Sequence, residues 1–90
     1  MTLSFLVSAE VWAVLKELSW GDRFEKDLSK LVLEPRSGYE FEAIADQLVE
    51  MGISYRLRGG QGNSYLTLTD KGQAIVGRFQ EIEEILTKSN

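Results

Sequence analysis

The apolar residues change their spacing after residue 52, from a helical period to strict alternation. In the segment ISYRLR, the apolar residues Ile53, Tyr55 and Leu57 alternate with polar ones, which is typical of a half-buried β-strand. The glycine-rich segment GGQGN follows, and it can supply the positive backbone dihedrals of a hairpin turn. The segment SYLTLT then returns as a second strand. Residues 53–69 are therefore predicted to form a hairpin, which we call the wing.

The residues before the wing show mostly helical apolar spacing. Residues 2–7 (TLSFLV) alternate weakly, which predicts a short N-terminal strand or an extended arm, and Ser8 is a candidate N-cap for the first helix. A second helix is predicted to begin at Asp22, which forms a capping box with Glu25, and to end before Pro35. The apolar face of this second helix would consist of Phe24, Leu28, Leu31 and Val32.

Two more helices complete the pattern. Ser37 and Glu40 form the capping box of a third helix, and Thr69 can cap a last helix over residues 70–88. The order is strand, three helices, hairpin, helix. This is the order of a winged helix-turn-helix with a short N-terminal strand and a long C-terminal helix. The sequence therefore predicts an α+β fold in one domain, residues 1–90.

The composition argues against several kinds of function. The chain has no cysteine, which excludes disulfides and thiolate metal sites, and no histidine, which removes the commonest general base. The carboxylates of the third helix are more simply interpreted as a solvated helix face than as a catalytic or metal site. We therefore expect a protein that is not an enzyme and has no catalytic residues, metal or cofactor. No apolar stretch is long enough for a membrane span or a signal peptide, so we expect a cytoplasmic location.

The segment GGQGNSYLTLTDKGQAIVGRFQEIEEI resembles winged helix-turn-helix transcriptional regulators. Its glycine-rich turn, Leu68, Thr69 and Gly72 are similar to the wing and following helix of molybdate-responsive (ModE-type) and LysR-type DNA-binding domains. The segment YLTLTDKG is also similar to the wing exit of MarR- and PadR-type repressors. The resemblance covers the last third of the chain. It implies a dimer that binds double-stranded DNA, with the third helix in the major groove and the wing along the backbone.

The resemblance implies DNA contacts in two places. On the third helix and before it they are Arg36, Ser37, Tyr39, Ala43 and Gln47. In the wing they are Arg56, Arg58, Gly60, Gln61 and Asn63. Arginines neutralise phosphates, and glycines let the backbone come close to DNA. The alternative is that the alternating arginines only solubilise the hairpin and that GGQGN is a plain flexible turn.

An apolar seam on the last helix predicts a dimer interface. Its members recur at four, three and four residues, the spacing of an a/d stripe, and are Ile75, Phe79, Ile82 and Leu86. They could instead cover the core of the domain itself.

The charge pattern leaves two functions open. The net charge is −4, and the segment SGYEFEAIADQLVEMG of the third helix contains no lysine or arginine. The leading hypothesis is a small dimeric DNA-binding transcription regulator without a separate effector domain. The alternative is a winged-helix protein–protein interaction module that does not bind DNA.

Overall fold

The computed structural model describes residues 2–32, 40–60 and 63–88. In chain order the elements are α1 (Thr2–Leu6), α2 (Ala9–Leu18), β1 (Arg23–Phe24), α3 (Glu25–Leu28), a 3₁₀ helix (Ser29–Val32), α4 (Phe41–Glu50), β2 (Ser54–Arg58), β3 (Ser64–Leu68) and α5 (Asp70–Lys88). The predicted order of three helices, wing and long last helix is therefore confirmed. Two elements differ from the prediction, the N-terminal segment and the start of the second helix, and both are described below.

The core lies between α2, α4 and the inner face of the sheet. The buried side chains of α2 recur at helical spacing on one face, and those of α4 do the same. Both sets belong to one buried cluster with Leu66 at the centre of β3, which is fully buried. The buried residues of the two helices are Val11, Val14, Leu15 and Leu18 on α2, and Ile44, Ala45 and Leu48 on α4.

The sheet has three antiparallel strands in the order β1-β3-β2. Tyr65 of β3 is opposite Phe24 on one side and Leu57 on the other, while Leu66 is opposite Arg23 and Arg56. Cross-strand partners share a face of the sheet. The row through Leu66, which includes Arg56, therefore faces the helices, and the row through Tyr65 faces outward.

The predicted N-terminal strand is wrong. Residues Thr2–Leu6 form a helix, and the adjacent side chains of Phe5 and Leu6 are both buried against the core. Successive side chains of a strand point to opposite faces, so a strand would leave one of these two residues outside. The weak alternation of TLSFLV was outweighed by the gain from burying both side chains.

The second helix begins later than predicted. Asp22 lies outside it, and Phe24 belongs to β1, where its ring packs edge-on against Tyr65 with the centroids 6.0 Å apart. The capping pattern at Asp22 competes with ladder hydrogen bonds to β3, and the pairing prevails. Of the four residues predicted for the apolar face, Leu28 and Val32 are buried, whereas Phe24 and Leu31 are 48% and 43% exposed.

The helix ends agree with the sequence in part. Thr69 caps α5 as predicted: its Oγ1 accepts a 2.9 Å hydrogen bond from the backbone N–H of Gly72. Ser8 takes the N-cap position of α2, although its hydroxyl donates to the carbonyl of Ser4 instead of capping the helix. The third helix begins at Phe41 with Glu40 as its N-cap, later than the capping box indicated.

Candidate nucleic-acid interface

The outward face of α4 is acidic. Glu42, Asp46 and Glu50 are four residues apart, share one side of the helix and are all exposed. Ala43 and Gln47 lie on the outward part of the helix as well, exposed and half-buried respectively. Their predicted contacts with DNA remain predictions. Both side chains lie beside carboxylates of the same helix, which would repel phosphate.

A single guanidinium joins the wing to two helices. Arg56 Nε donates to Glu25 Oε2 at 2.8 Å, and its Nη2 lies 3.3 Å from Glu25 Oε1. Its Nη1 lies 3.0 Å from Asp46 Oδ1. The hydroxyl of Ser64 donates a further hydrogen bond to Glu25 Oε2 at 2.6 Å. Because Glu25 belongs to α3 and Asp46 to α4, this Arg56 ion-pair network connects α3, α4 and the wing.

The charge of Arg56 is well satisfied within the protein. Its side chain is 33% exposed and that of Glu25 only 16%. The hydrogen bond to Glu25, followed by that to Asp46, raises the pKa of the Arg56 guanidinium above its usual range, although burial opposes this shift. The three groups together carry a net charge of −1. A phosphate that contacted Arg56, as predicted, would have to displace the carboxylates of Glu25 or Asp46 from its guanidinium.

Beside this network a cleft of about 470 Å³ opens between α3, the start of α4 and the wing. Besides Arg56, two cations line it, Lys26 on α3 and Arg58 at the end of β2, and both are exposed. Among the residues that the structure describes, neither side chain forms an ion pair. The remaining lining residues are Glu25, Ser29, Phe41, Glu42, Arg56 and Ser64. No sequence signal pointed to Lys26, since it lies far from the wing along the chain.

The turn of the wing is closed by backbone hydrogen bonds. The N–H of Gly59 donates to the carbonyl of Asn63 at 2.7 Å, and the N–H of Asn63 reaches the carbonyl of Gly60 at 3.4 Å. Gly59 and Gly60 do not have the positive φ that the sequence predicted for the turn; among the described glycines only Gly21 and Gly52 do. Gly60 and Asn63 are exposed at the tip.

Four predicted contact residues, Arg36, Ser37, Tyr39 and Gln61, lie outside the described residues.

The first half of the α5 seam is packed against the core, and the second half is exposed. Ile75 and Phe79 pack against the core, and Phe79 meets the ring of Trp12 edge-on at 5.5 Å between centroids. Ile82 is 51% exposed and Leu86 is 68% exposed, as is Ile85, which the seam did not include. The interpretation as core cover therefore holds for the first half of the seam. Only the second half is exposed enough to meet a partner.

Other kinds of site are not found in the described part of the chain. No group of three or more acidic residues there is arranged to hold a metal ion. None of the described helices has the length and apolar character needed to cross a membrane.

The helices, the three-stranded sheet with its wing and the long last helix define a winged helix-turn-helix domain. No protein-family model matches the chain, and no curated protein matches it. Among solved structures, AF1382 from Archaeoglobus fulgidus is similar with a TM-score of 0.75 and 19% identity over 100% of both chains.

Two further structures are similar to the chain. MepR, a transcription regulator of the Staphylococcus aureus multidrug efflux pump MepA, has a TM-score of 0.72 and 18% identity over 97% of this chain and 69% of its own. A possible transcriptional regulator for arsenical resistance has a TM-score of 0.66 and 16% identity over 98% of this chain and 95% of its own. The winged-helix fold predicted from the sequence is thereby confirmed.

Proposed function

We propose that this protein is a small DNA-binding transcription regulator that acts as a homodimer in the cytoplasm and catalyses no reaction. The observation that carries the proposal is the fold: the solved structures similar over most of the chain include the transcription regulator MepR and a possible transcriptional regulator for arsenical resistance. The position of α4 next to the wing supports it, because a winged helix uses these two elements together on one duplex.

In this proposal α4 enters the major groove and the wing lies along the phosphate backbone. Gln47 offers an amide that can pair with both the N6 and N7 edges of an adenine, and Ala43 a methyl group that can contact that of a thymine. The exposed wing residues Arg58, Gly60 and Asn63 would lie against the backbone. Arg36, Ser37 and Tyr39, ahead of α4, and Gln61 in the turn belong to the predicted set as well. So does Arg56, which pairs with carboxylates of the protein itself.

The proposed homodimer uses the exposed half of α5. Ile82, Ile85 and Leu86 form an apolar surface at the C-terminal end of the helix, and pairing with the same surface of a second copy would bury it. A two-fold dimer presents two copies of α4, so its preferred site would be a palindrome. Occupying such a site near a promoter would then regulate transcription.

The acidic face of α4 supports a second candidate, a protein-interaction module. Glu42, Asp46 and Glu50 form an exposed row that would attract a basic partner protein and repel DNA. This candidate predicts no affinity for duplex DNA at any salt concentration.

Titration of a fluorescent mixed-sequence duplex, followed by anisotropy at several salt concentrations, distinguishes the two. A regulator should bind at low salt, and the logarithm of its affinity should fall with log salt with a slope of about −0.9 per neutralised phosphate. A matched control is Arg78→Met, which removes an exposed cation of α5 that does not line the cleft beside the wing and should leave the slope unchanged. Absence of binding at low salt would sink the DNA proposal and favour the interaction module.

A further inference from the structure

We propose that Arg56 does not contact DNA but positions α4 against the wing, and that Lys26 and Arg58 bind the backbone phosphate at this place. The inference rests on the proposed function, since it assigns roles to residues of the same surface. It changes the role predicted for Arg56 and adds Lys26, which the sequence did not indicate.

The first argument is the occupancy of the Arg56 guanidinium. Three of its nitrogens face carboxylate oxygens of Glu25 and Asp46, at 2.8, 3.3 and 3.0 Å. A phosphate that took their place would leave the largely buried carboxylate of Glu25 without its cation. Removing one partner of such a pair is costly, because the remaining charge stays desolvated. The guanidinium is therefore better suited to joining parts of the protein than to binding an external anion.

The second argument is the place where Arg56 grips α4. Ala43 and Gln47 are the two residues proposed to contact bases. Asp46 lies one turn after Ala43 and directly before Gln47. The buried side chains of Ile44 and Leu48 orient α4 against the core, and the ion pair of Arg56 with the 61% exposed Asp46 adds a contact on the side that carries the two proposed base contacts. Arg56 is itself fixed through Glu25, which also accepts the hydroxyl of Ser64. The network thus links α3 and α4 to the wing, and we infer that it positions α4 relative to the wing.

The third argument concerns the two remaining cations of the cleft. Lys26 and Arg58 are exposed at its mouth, on α3 and on the wing, and no described carboxylate forms an ion pair with either. A phosphate can approach them without displacing an internal partner. Glu42 lines the same cleft on the α4 side, which favours approach from the side of α3 and the wing. Two cations converging on one cleft supply the charge that a backbone phosphate requires.

The test measures the salt dependence of duplex binding for three variants, Lys26→Met, Arg56→Met and Arg58→Met, with Arg78→Met as the control. Loss of a phosphate contact makes the log–log slope shallower by about 0.9. We expect that change for the Lys26 and Arg58 variants. For Arg56→Met we expect the wild-type slope, with binding weakened by a similar factor at every salt concentration. A slope for Arg56→Met as shallow as that for Arg58→Met would overturn the inference.

Arg56→Lys separates the two roles even if the methionine variant folds poorly. Lysine keeps the charge but lacks the planar fork that reaches two carboxylates at once. A phosphate contact would be largely preserved by lysine, whereas a positioning residue would lose its function as it does with methionine. We expect Arg56→Lys to bind duplex severalfold more weakly than the wild type with an unchanged salt slope; affinity near wild type would count against the positioning role. Circular dichroism confirms that each variant is folded.

The two proposals fail in different ways. Wild-type protein that does not bind duplex at low salt overturns both the proposed function and the phosphate assignment. Wild-type protein that binds, with a shallower slope for Arg56→Met or unchanged slopes for Lys26→Met and Arg58→Met, overturns this inference alone.

Discussion

The indole N–H of Trp12 donates a 2.8 Å hydrogen bond to Oε2 of Glu83, and so joins α2 to the second half of α5 across 71 residues of sequence. The same carboxylate oxygen lies 3.7 Å from Lys16 Nζ, and the Trp12 ring packs edge-on against Phe79. The last helix is therefore held to the domain as far as Glu83, while Ile85 and Leu86 just beyond it are exposed.

Replacing Glu83 with alanine should lower the free energy of unfolding by about 1 kcal/mol, because it leaves the half-buried indole N–H of Trp12 without its acceptor. Urea denaturation followed by tryptophan fluorescence measures the change. Glu84→Ala is the matched control: that side chain is exposed and, among the described residues, forms its ion pair with Lys88 four residues on, so the expected loss is at most about 0.5 kcal/mol. Equal losses in the two variants would show that the Trp12 contact contributes nothing.

Two glycines of α5 should respond to alanine in opposite directions. A Cβ at Gly72 would overlap the carbonyl oxygen of Ile53, whereas a Cβ at Gly77 meets no described atom within 4 Å. We expect Gly72→Ala to destabilise the domain by about 3 kcal/mol through overpacking, and Gly77→Ala to stabilise it by up to about 1 kcal/mol through helix propensity. Thermal and urea unfolding of the pair check the signs. If Gly72→Ala did not lower the free energy of unfolding, it would contradict the close approach of α5 to the backbone of Ile53.

The dimer interface can be tested without disturbing the core. Ile82 and Leu86 are exposed, so changing both to glutamate should leave the fold of the monomer intact while placing four like charges across a two-fold interface. Sedimentation velocity should then show a monomer where the wild type shows a dimer. Glu81→Gln on the same exposed stretch is the control and should remain dimeric. A dimer that survives the double substitution would remove this surface from the assembly.

Ser54 offers a test of a buried hydroxyl. Its Oγ is buried and has no hydrogen-bond partner in the part of the chain that the structure describes, and its residue is 2% exposed. Replacing it with alanine should raise the free energy of unfolding by about 1 kcal/mol, since an unsatisfied polar group leaves the interior. Ser64→Ala should have the opposite effect, because that hydroxyl bonds to Glu25. A loss of stability in Ser54→Ala would indicate that the hydroxyl is satisfied, for example by a buried water.

Sequence patterns predicted the strongly periodic elements because their information is local. The helical spacing of the apolar residues before the wing predicted helices, and the alternation around Leu57 predicted strand β2. The alternation did not identify the buried face, since Tyr55 and Leu57 are 59% and 41% exposed. The cap of α5 was predictable for the same reason, since Thr69 and the N–H that it binds lie three residues apart. The order of these elements sufficed to predict the winged-helix fold.

The tertiary structure decided the features that depend on contacts between distant residues. Arg23 and Phe24 form a strand because β3 offers them a partner, although the local pattern favours a helix. Arg56 and Arg58 are indistinguishable as alternating arginines of one strand, yet only Arg56 meets Glu25, 31 residues away. The spacing of apolar residues that is typical of a helix or a strand repeats along the chain and can be recognised in the sequence. Which carboxylate forms an ion pair with a given arginine depends on the elements that the fold brings together. No local sequence pattern contains that information.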